Sequence, residues 1–357
     1  MTPRTIASAD KAPVRTLSER ELNRALLARQ LLLERADIPL TRAIEQVGGL
    51  QTQYAPSGYL GLWTRTAGFE RAGLTRALEQ RRVIQGTLMR ATIHMVSKRD
   101  YPLFAAGIRN DRLAHWRKVA RDHPQAGSLP AVVRKVRRYL EDGPKKRTAI
   151  QRRFELDGPM FDGVSRALDM VRVPPPGTWE QRRADLYGLA EQWIGPLTAD
   201  PAAGVEHLVR RYLAGFGPAS KKDILGWAGL DLRTLSPVLD RMKLRRFRDE
   251  RGGELLDLPR APLPDADTPA PVRFLPTFDA TLLVNCRRTQ ILPERYRPVI
   301  FNVRTPQSVG TFLVDGQVAG TWSLRDGSPK VEPLSKLPPA ARRELTEETE
   351  RLREFVR

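Results

Sequence analysis

Apolar residues recur at helical spacing in LSERELNRALLARQLLLERA, where Leu22, Leu26, Leu27 and Leu31 share one face. Ser18 followed three residues later by Glu21 forms a capping box, so the pattern predicts an amphipathic helix starting there. Shorter helices are predicted in LTRAIEQV, which stops at Gly48 and Gly49, around LGLWTRTAG, and in LTRALEQR. The period then falls to two. VIQGTLMR and ATIHMVS are rich in Val, Ile, Thr and Met and predict two strands, with Thr92, His94 and Val96 on one face of the second. Helices closed by a two-stranded hairpin describe a winged helix.

The same order of elements recurs with unequal spacers. PAVVRKVRRYLEDG, TAIQRRFEL and FDGVSRALDMVRV predict helices, the last running into strand, before PPPG turns the chain and RRADLYGLAEQW returns. AAGVEHLVRRYLAGFG, PASKKDILGWAGL and LRTLSPVLDRM predict three more helices, followed by strand, Gly-Gly turn and strand in LRRFRDERGGELLDLP. Without a fixed period these are tandem domains rather than a solenoid. Proline and aspartate mark a linker in RAPLPDADTPAPVR. Beyond it RFLPTFDATLLV, RPVIFNV and VGTFLVDGQVAGTWSL predict short strands without an intervening helix, with a hairpin turn at Asp315-Gly316. A charged helix with Leu345, Leu352 and Phe355 on one side ends the chain. The expected fold is therefore α+β: three tandem winged-helix units, a small antiparallel β-barrel or sheet, and a C-terminal helix. The expected boundaries are a disordered basic arm at 1–15, winged helices at 16–98, 99–198 and 199–260, the barrel at 261–335 and the last helix at 336–357.

Composition narrows the partner. The 357 residues hold 60 Lys plus Arg against 41 Asp plus Glu, a net charge of +19, which is the signature of a polyanion binder, nucleic acid first. Nearly all of the excess is arginine, suited to bidentate phosphate and guanine contacts. The lone Cys286 cannot form an internal disulfide, and four histidines cannot build a zinc-finger set, so no metal or cofactor is expected. The opening residues lack the apolar core of a secretory signal and no run is long enough to span a bilayer. A cytoplasmic, nucleoid-associated monomer on double-stranded DNA is the expectation.

Candidate chemistry centres on GGLQTQYAP, Gly48 to Pro56. Taken alone, Gln51 and Gln53 are two neutral amides, poor bases and poor ligands for a soft metal, and a solvated helix end accounts for them. This stretch, together with GTLMRATIHMVSKRDY, GPASKKDILGWAGL, FLPTFDATLL and LVDGQVAGTW, resembles the winged-helix family of AlkZ-type and YcaQ-type DNA glycosylases, from about Leu17 to Trp322. The resemblance implies three winged helices followed by a β-barrel. It also implies a catalytic signature of two polar residues flanking an aliphatic one, whose Gln-aliphatic-Gln form Gln51 and Gln53 match. Thr52 departs from the pattern, and its hydroxyl needs a partner if buried.

The resemblance implies a DNA glycosylase of base excision repair that removes alkylated bases and unhooks interstrand crosslinks; two neutral amides, with no helix-hairpin-helix bearing paired Lys and Asp in the sequence, point to a monofunctional enzyme that hydrolyses the N-glycosidic bond of cationic N7- or N3-alkylated purines. An alkylated purine is already cationic and leaves as a neutral base, so weak polar catalysts suffice. A non-catalytic DNA-binding regulator or damage binder is the rival reading, with RNA binding as a third. DNA-binding candidates are Tyr54, by stacking, unless it belongs to the core; Arg90, at the tip of the first hairpin; His94, unless it is purely structural; Lys221 and Lys222, at a helix start; and Arg245, Arg246 and Arg248, on the third wing. Asp279 reads as a turn or cap residue, and the tryptophans as core.

Overall fold

A computed structural model describes residues 14–283, 289–301 and 308–357. Cys286 and nearly all of the expected N-terminal arm lie outside the described residues. Strand β1 (Thr16–Leu17) leads into α1 (Glu19–Arg29), where the capping box forms: Ser18 Oγ accepts from Glu21 N at 3.1 Å and Glu21 Oε2 accepts from Ser18 N at 2.8 Å. Next come α2 (Leu40–Gln46), β2 (Leu50–Gln51), α3 (Pro56–Trp63) and α4 (Arg71–Glu79), then the hairpin β3 (Val83–Thr87) and β4 (Ile93–Ser97).

Helix α5 (Asp100–Val119) is long and carries no amphipathic signature in the sequence. Its first half is buried on several sides, through the five successive residues Phe104, Ala105, Ala106, Gly107 and Ile108, so no polar face alternates with an apolar one there. There follow α6 (Leu129–Glu141), β5 (Lys145–Lys146), α7 (Arg147–Phe154), α8 (Gly158–Ala167), β6 (Met170–Arg172), β7 (Leu186–Leu189) and α9 (Ala190–Ile194). Helices α10 (Pro201–Phe216), α11 (Lys221–Ala228) and α12 (Leu232–Arg241) precede the hairpin β8 (Arg245–Asp249) and β9 (Glu254–Asp257). These five fall where the sequence predicts them, and α11 opens on a second capping box between Ser220 and Asp223.

Beyond the linker lie β10 (Arg273–Leu275), α13 (Ala280–Leu283), α14 (Arg297–Ile300), β11 (Gly310–Val314), β12 (Gln317–Arg325), β13 (Ser328–Pro333) and α15 (Pro339–Val356). Strand expected in RFLPTFDATLLV forms only over Arg273–Leu275; α13 takes the place of its later part, and α14 that of the strand expected at the start of RPVIFNV. Pro276 follows β10 directly, and Asp279 Oδ1 accepts from Thr281 N at 3.0 Å, which caps a helical turn instead of continuing a strand. The part of RPVIFNV beyond Phe301 lies outside the described residues.

The protein is an α+β fold, with three sheets among the described residues. Hairpin β3–β4 does not stand apart: β3 pairs antiparallel with β6 through Gln85↔Arg172 and Gly86↔Val171, giving one six-stranded sheet of order β2-β4-β3-β6-β7-β5. A second sheet, β1-β8-β9, pairs the first described strand in parallel with β8, so the start of the chain packs with residues more than two hundred positions away. Arg29 on α1 reinforces this, donating from Nη1 to Asp257 Oδ1 at 2.7 Å and from Nη2 to Oδ2 at 3.0 Å, both side chains buried. The third sheet is a four-stranded antiparallel meander, β10-β11-β12-β13. Its Asp315-Gly316 turn is present and packs on α1, where Asp315, itself exposed, accepts from both Arg20 and Arg24.

The principal core runs from α1 through α5, α10 and α11, and a second gathers α2, α3, α4, the meander and α15. Helices α5 and α10 cross at a glycine pair, where a Cβ on Gly107 would lie 2.7 Å from the Gly204 carbonyl carbon. Phe355 stacks on Trp63 at 5.5 Å between ring centres, which docks α15 as its apolar stripe predicts. Among the described residues no helix is long and apolar enough to cross a membrane.

Candidate active site

Gln51 lies on β2, which joins the edge of the six-stranded sheet beside β4, opposite His94. Leu50 and Gln51 are therefore strand, not a solvated helix end, and Gly48 and Gly49 (φ +77° and +86°) make the sharp turn from α2 that only glycine adopts readily. Strand geometry sends Gln51 and Thr52 to opposite faces. Thr52 Oγ1 accepts from Gln85 Nε2 at 3.2 Å, with both side chains buried, and its N donates to Ile93 O at 2.7 Å. The hydroxyl at the departing position thus has its partner within the sheet.

On the other face, Gln51 is 8% exposed and its Oε1 accepts from Arg90 Nη2 at 2.6 Å, while Arg90 Nη1 donates to Trp227 O at 2.8 Å. A guanidinium has only donors, so the amide oxygen, not the NH2, must face it. The expected phosphate ligand is therefore turned inward, onto the motif and onto α11. Gln53 lies just past the strand and is exposed.

His94, 2% exposed, donates from Nδ1 to Thr92 O at 3.1 Å, since a carbonyl can only accept, which leaves Nε2 as an acceptor. Burial, and next the Arg90 charge, push its pKa from the ordinary 6.5 down to about 3, so the ring is neutral at physiological pH. Tyr54 is 37% exposed, not core; its hydroxyl accepts from Arg182 Nη1 at 2.9 Å. It borders a cleft of ≈ 440 Å³ whose lining includes Ser57, Thr277, Val309, Trp322 and Leu324.

Beneath the motif, Arg65 and Asp279 form a buried bidentate pair, Nη1 to Oδ2 at 3.0 Å and Nη2 to Oδ1 at 2.9 Å. Arg65 Nη1 also donates to Gly61 O, and Nη2 to Gln30 Oε1. Asp279 is thus both the cap its sequence context suggests and the counter-ion of a buried arginine. That second role links positions 214 apart and has no local signal.

The remaining candidates lie elsewhere. Lys221 and Lys222 are exposed on the first turn of α11, whereas Trp227, which receives Arg90, lies near its last. On β8, Arg246 is paired with Glu254, Arg248 Nη1 donates to Gly252 O at 3.1 Å, and the Arg245 guanidinium covers Phe247 at 4.7 Å. The structure therefore brings together Gln51, Arg90 and His94, with Gln53 and Tyr54 next along the chain, and leaves the β8 arginines and the lysines outside this cluster. Among the described residues no group of acidic, histidine and cysteine side chains could hold a metal ion.

Comparison with known proteins bears on this arrangement. In solved structures the chain is similar to the Streptomyces sahachiroi DNA glycosylase AlkZ, with a TM-score of 0.78 at 16% identity over 96% of this chain and 98% of that one, a likeness of fold. No curated protein matches the chain. The family described as "DNA glycosylase AlkZ-like" matches residues 44–355, a span that contains the Gln51–Gln53 motif and all three sheets except β1. The chain belongs to the AlkZ-like DNA glycosylase family.

Proposed function

We propose that the protein is a monofunctional DNA glycosylase that hydrolyses the N-glycosidic bond of cationic N7- or N3-alkylated purines in double-stranded DNA, as a monomer, with interstrand crosslinks as an extension of the same chemistry. The observation that carries the reading is the differing environment of the two amides. Gln51 is buried and its carbonyl is engaged, whereas Gln53 is exposed on the same chain turn. Gln53 Oε1 is then the acceptor that orients the attacking water, and Gln51 presents its NH2 to the sugar-phosphate or to Gln53. As the C1′–N9 bond breaks, its electron pair passes into the base and cancels the positive charge, so no acid is required. The water oxygen bonds to C1′, its proton leaves to solvent, and the Gln53 carbonyl dipole faces the developing sugar charge.

Neutral His94 fits this scheme, because a proton donor is not needed and an imidazolium would repel the cationic substrate. Three winged-helix units remain the organisation we favour for gripping the duplex, with exposed Lys221 and Lys222 available for phosphate.

The test is release of 7-methylguanine from methylated duplex DNA. The expected result is release by the wild-type protein, none from duplexes carrying uracil, and loss of release in Gln51→Ala/Gln53→Ala. Undiminished release by that double variant would refute the mechanism. Sequence-specific footprints on undamaged DNA without any release would favour a regulator.

A further inference from the structure

We propose that Arg90 is a positioning residue for Gln51 rather than a DNA-phosphate contact; this rests on the glycosylase reading and deepens it. The β3–β4 hairpin turns through Arg90 and Ala91, both left-handed, at φ +53° and +58°. Such hairpin turns favour Asn-Gly, because most side chains are strained there. Two successive non-glycine residues in that region persist only where the surroundings hold them. Here they are held: Leu88 N donates to Thr92 O and Ala91 N to Leu88 O, each at 2.9 Å, and Thr92 Oγ1 donates to Met89 O at 3.0 Å.

The turn delivers the Arg90 side chain to two oxygens at once, Gln51 Oε1 at 2.6 Å and Trp227 O at 2.8 Å. Gly229, itself at φ +73°, makes room for the backbone of the turn at Arg90. A Cβ on Gly229 would lie 3.1 Å from Arg90 N and 3.3 Å from its Cα. Backbone at three places is thus shaped so that one guanidinium reaches a neutral amide.

The consequence for Gln51 is directional. Its amide cannot flip, because its NH2 would then face a donor-only group. The oxygen is fixed toward Arg90 and the NH2 away from it. A charged donor on the carbonyl also polarises the amide, which makes the NH2 a stronger donor and the oxygen a poorer acceptor. Arg90 therefore gives the two glutamines different tasks, Gln51 as the donor and Gln53 as the acceptor for water. Because Trp227 lies on α11, the same side chain ties the motif to the third group of helices.

Arg90→Lys separates the two roles, since it keeps the charge but a single ammonium on a flexible stem does not reproduce the forked contact. For a phosphate contact, Arg90→Lys keeps the affinity and the excision rate, while Arg90→Met lowers the salt dependence of DNA binding by about one phosphate. For the positioning role, both variants keep the affinity and salt slope on undamaged duplex, and both lose about ten- to hundredfold in single-turnover release of 7-methylguanine. Adding Arg90→Lys to Gln51→Ala then produces no further loss.

The bond is also read without activity: the Gln51 side-chain amide signals in a ¹⁵N spectrum, identified by their absence in Gln51→Ala, shift in Arg90→Lys, which is expected to keep the wild-type melting temperature. A wild-type release rate in Arg90→Lys, an additive loss in the double variant, or unmoved Gln51 signals would each overturn the assignment. Absence of release by the wild-type protein would instead remove the glycosylase reading, and with it any catalytic role for this bond.

Discussion

Replacing Asp279 by alanine tests whether a buried ion pair clamps the motif to the C-terminal sheet. Asp279 receives four hydrogen bonds, two from Arg65 at 3.0 and 2.9 Å and two from Thr281, from N at 3.0 Å and Oγ1 at 2.7 Å. Both members of the ion pair have side chains 1% exposed. In the alanine variant Arg65 keeps Gly61 O and Gln30 Oε1 as acceptors but has lost its counter-ion, and a charge stranded this way costs about 3–5 kcal/mol. Loss of the cap on Thr281 adds about 1 kcal/mol. Those losses correspond to a fall in melting temperature of roughly 5–10 °C for a chain of this size.

Removing both charges behaves differently. Arg65→Met/Asp279→Leu replaces the pair by apolar groups of similar volume, which is close to neutral elsewhere, so the double variant is expected to lie nearer to wild type than Asp279→Ala does. Urea and thermal denaturation followed by circular dichroism measure both. A cost below about 1 kcal/mol for Asp279→Ala would refute the reasoning. So would a double variant less stable than that single one, because the stranded Arg65 charge would then not be the cause.

Three further outcomes are expected. Thr52→Val, which restores an aliphatic residue to the motif, deprives buried Gln85 of an acceptor and is expected to cost about 1–3 kcal/mol while 7-methylguanine release persists; lost release with an intact fold would mean that the hydroxyl acts in the cleft. Gly107→Ala drives a methyl against backbone 2.7 Å away and is expected to destabilise by roughly 1–3 kcal/mol, whereas Gly127→Ala, with nothing within 4 Å, is neutral to about 0.5 kcal/mol; comparing their melting temperatures checks the contact between α5 and α10. His94 stays neutral down to about pH 3 when folded, but the unfolded chain takes up the proton near 6.5, so its contribution to stability is complete above pH 6.5 and lost as pH falls toward 3. His94→Gln should therefore flatten the acid limb of a stability-against-pH curve, and an unchanged limb would contradict the burial of a neutral ring.

The parts of this fold legible in the sequence are those set by neighbours. Ser18 and Glu21 are three residues apart and form their capping box; the Asp315-Gly316 turn and the order of elements from α10 to β9 follow from local patterning in the same way. What could not be read depends on distant pairing. The joining of β3 to β6 rests on a register that no period specifies, and α5 is hidden because a helix buried on several sides has no polar face to reveal it. For the site, the position of Gln51 came from the motif, but its strand setting came from β4. The role of Arg90 was read from its place at a hairpin tip, where an arginine normally faces solvent; the left-handed backbone and the path to Trp227 are invisible without coordinates.

These arginines alter the meaning of the net charge. Six of them, Arg24, Arg29, Arg65, Arg112, Arg172 and Arg273, are buried among the described residues, where they cannot meet phosphate. Arg24 reaches Asp315, Arg29 reaches Asp257 and Arg65 reaches Asp279, in each case joining segments separated by more than two hundred positions. Arg112 donates to Thr87 O and to Asp169 Oδ1, so it braces the hairpin that carries Arg90. A five-donor fork that stays charged suits this task better than lysine, because it satisfies carboxylates and backbone carbonyls together. The same side chain that holds distant segments together also orients the Gln51 amide. Part of the arginine excess that first pointed to a polyanion is therefore spent inside the protein, and the surface that attracts DNA has to be sought among the exposed remainder, such as Lys221 and Lys222, more than in the total of +19.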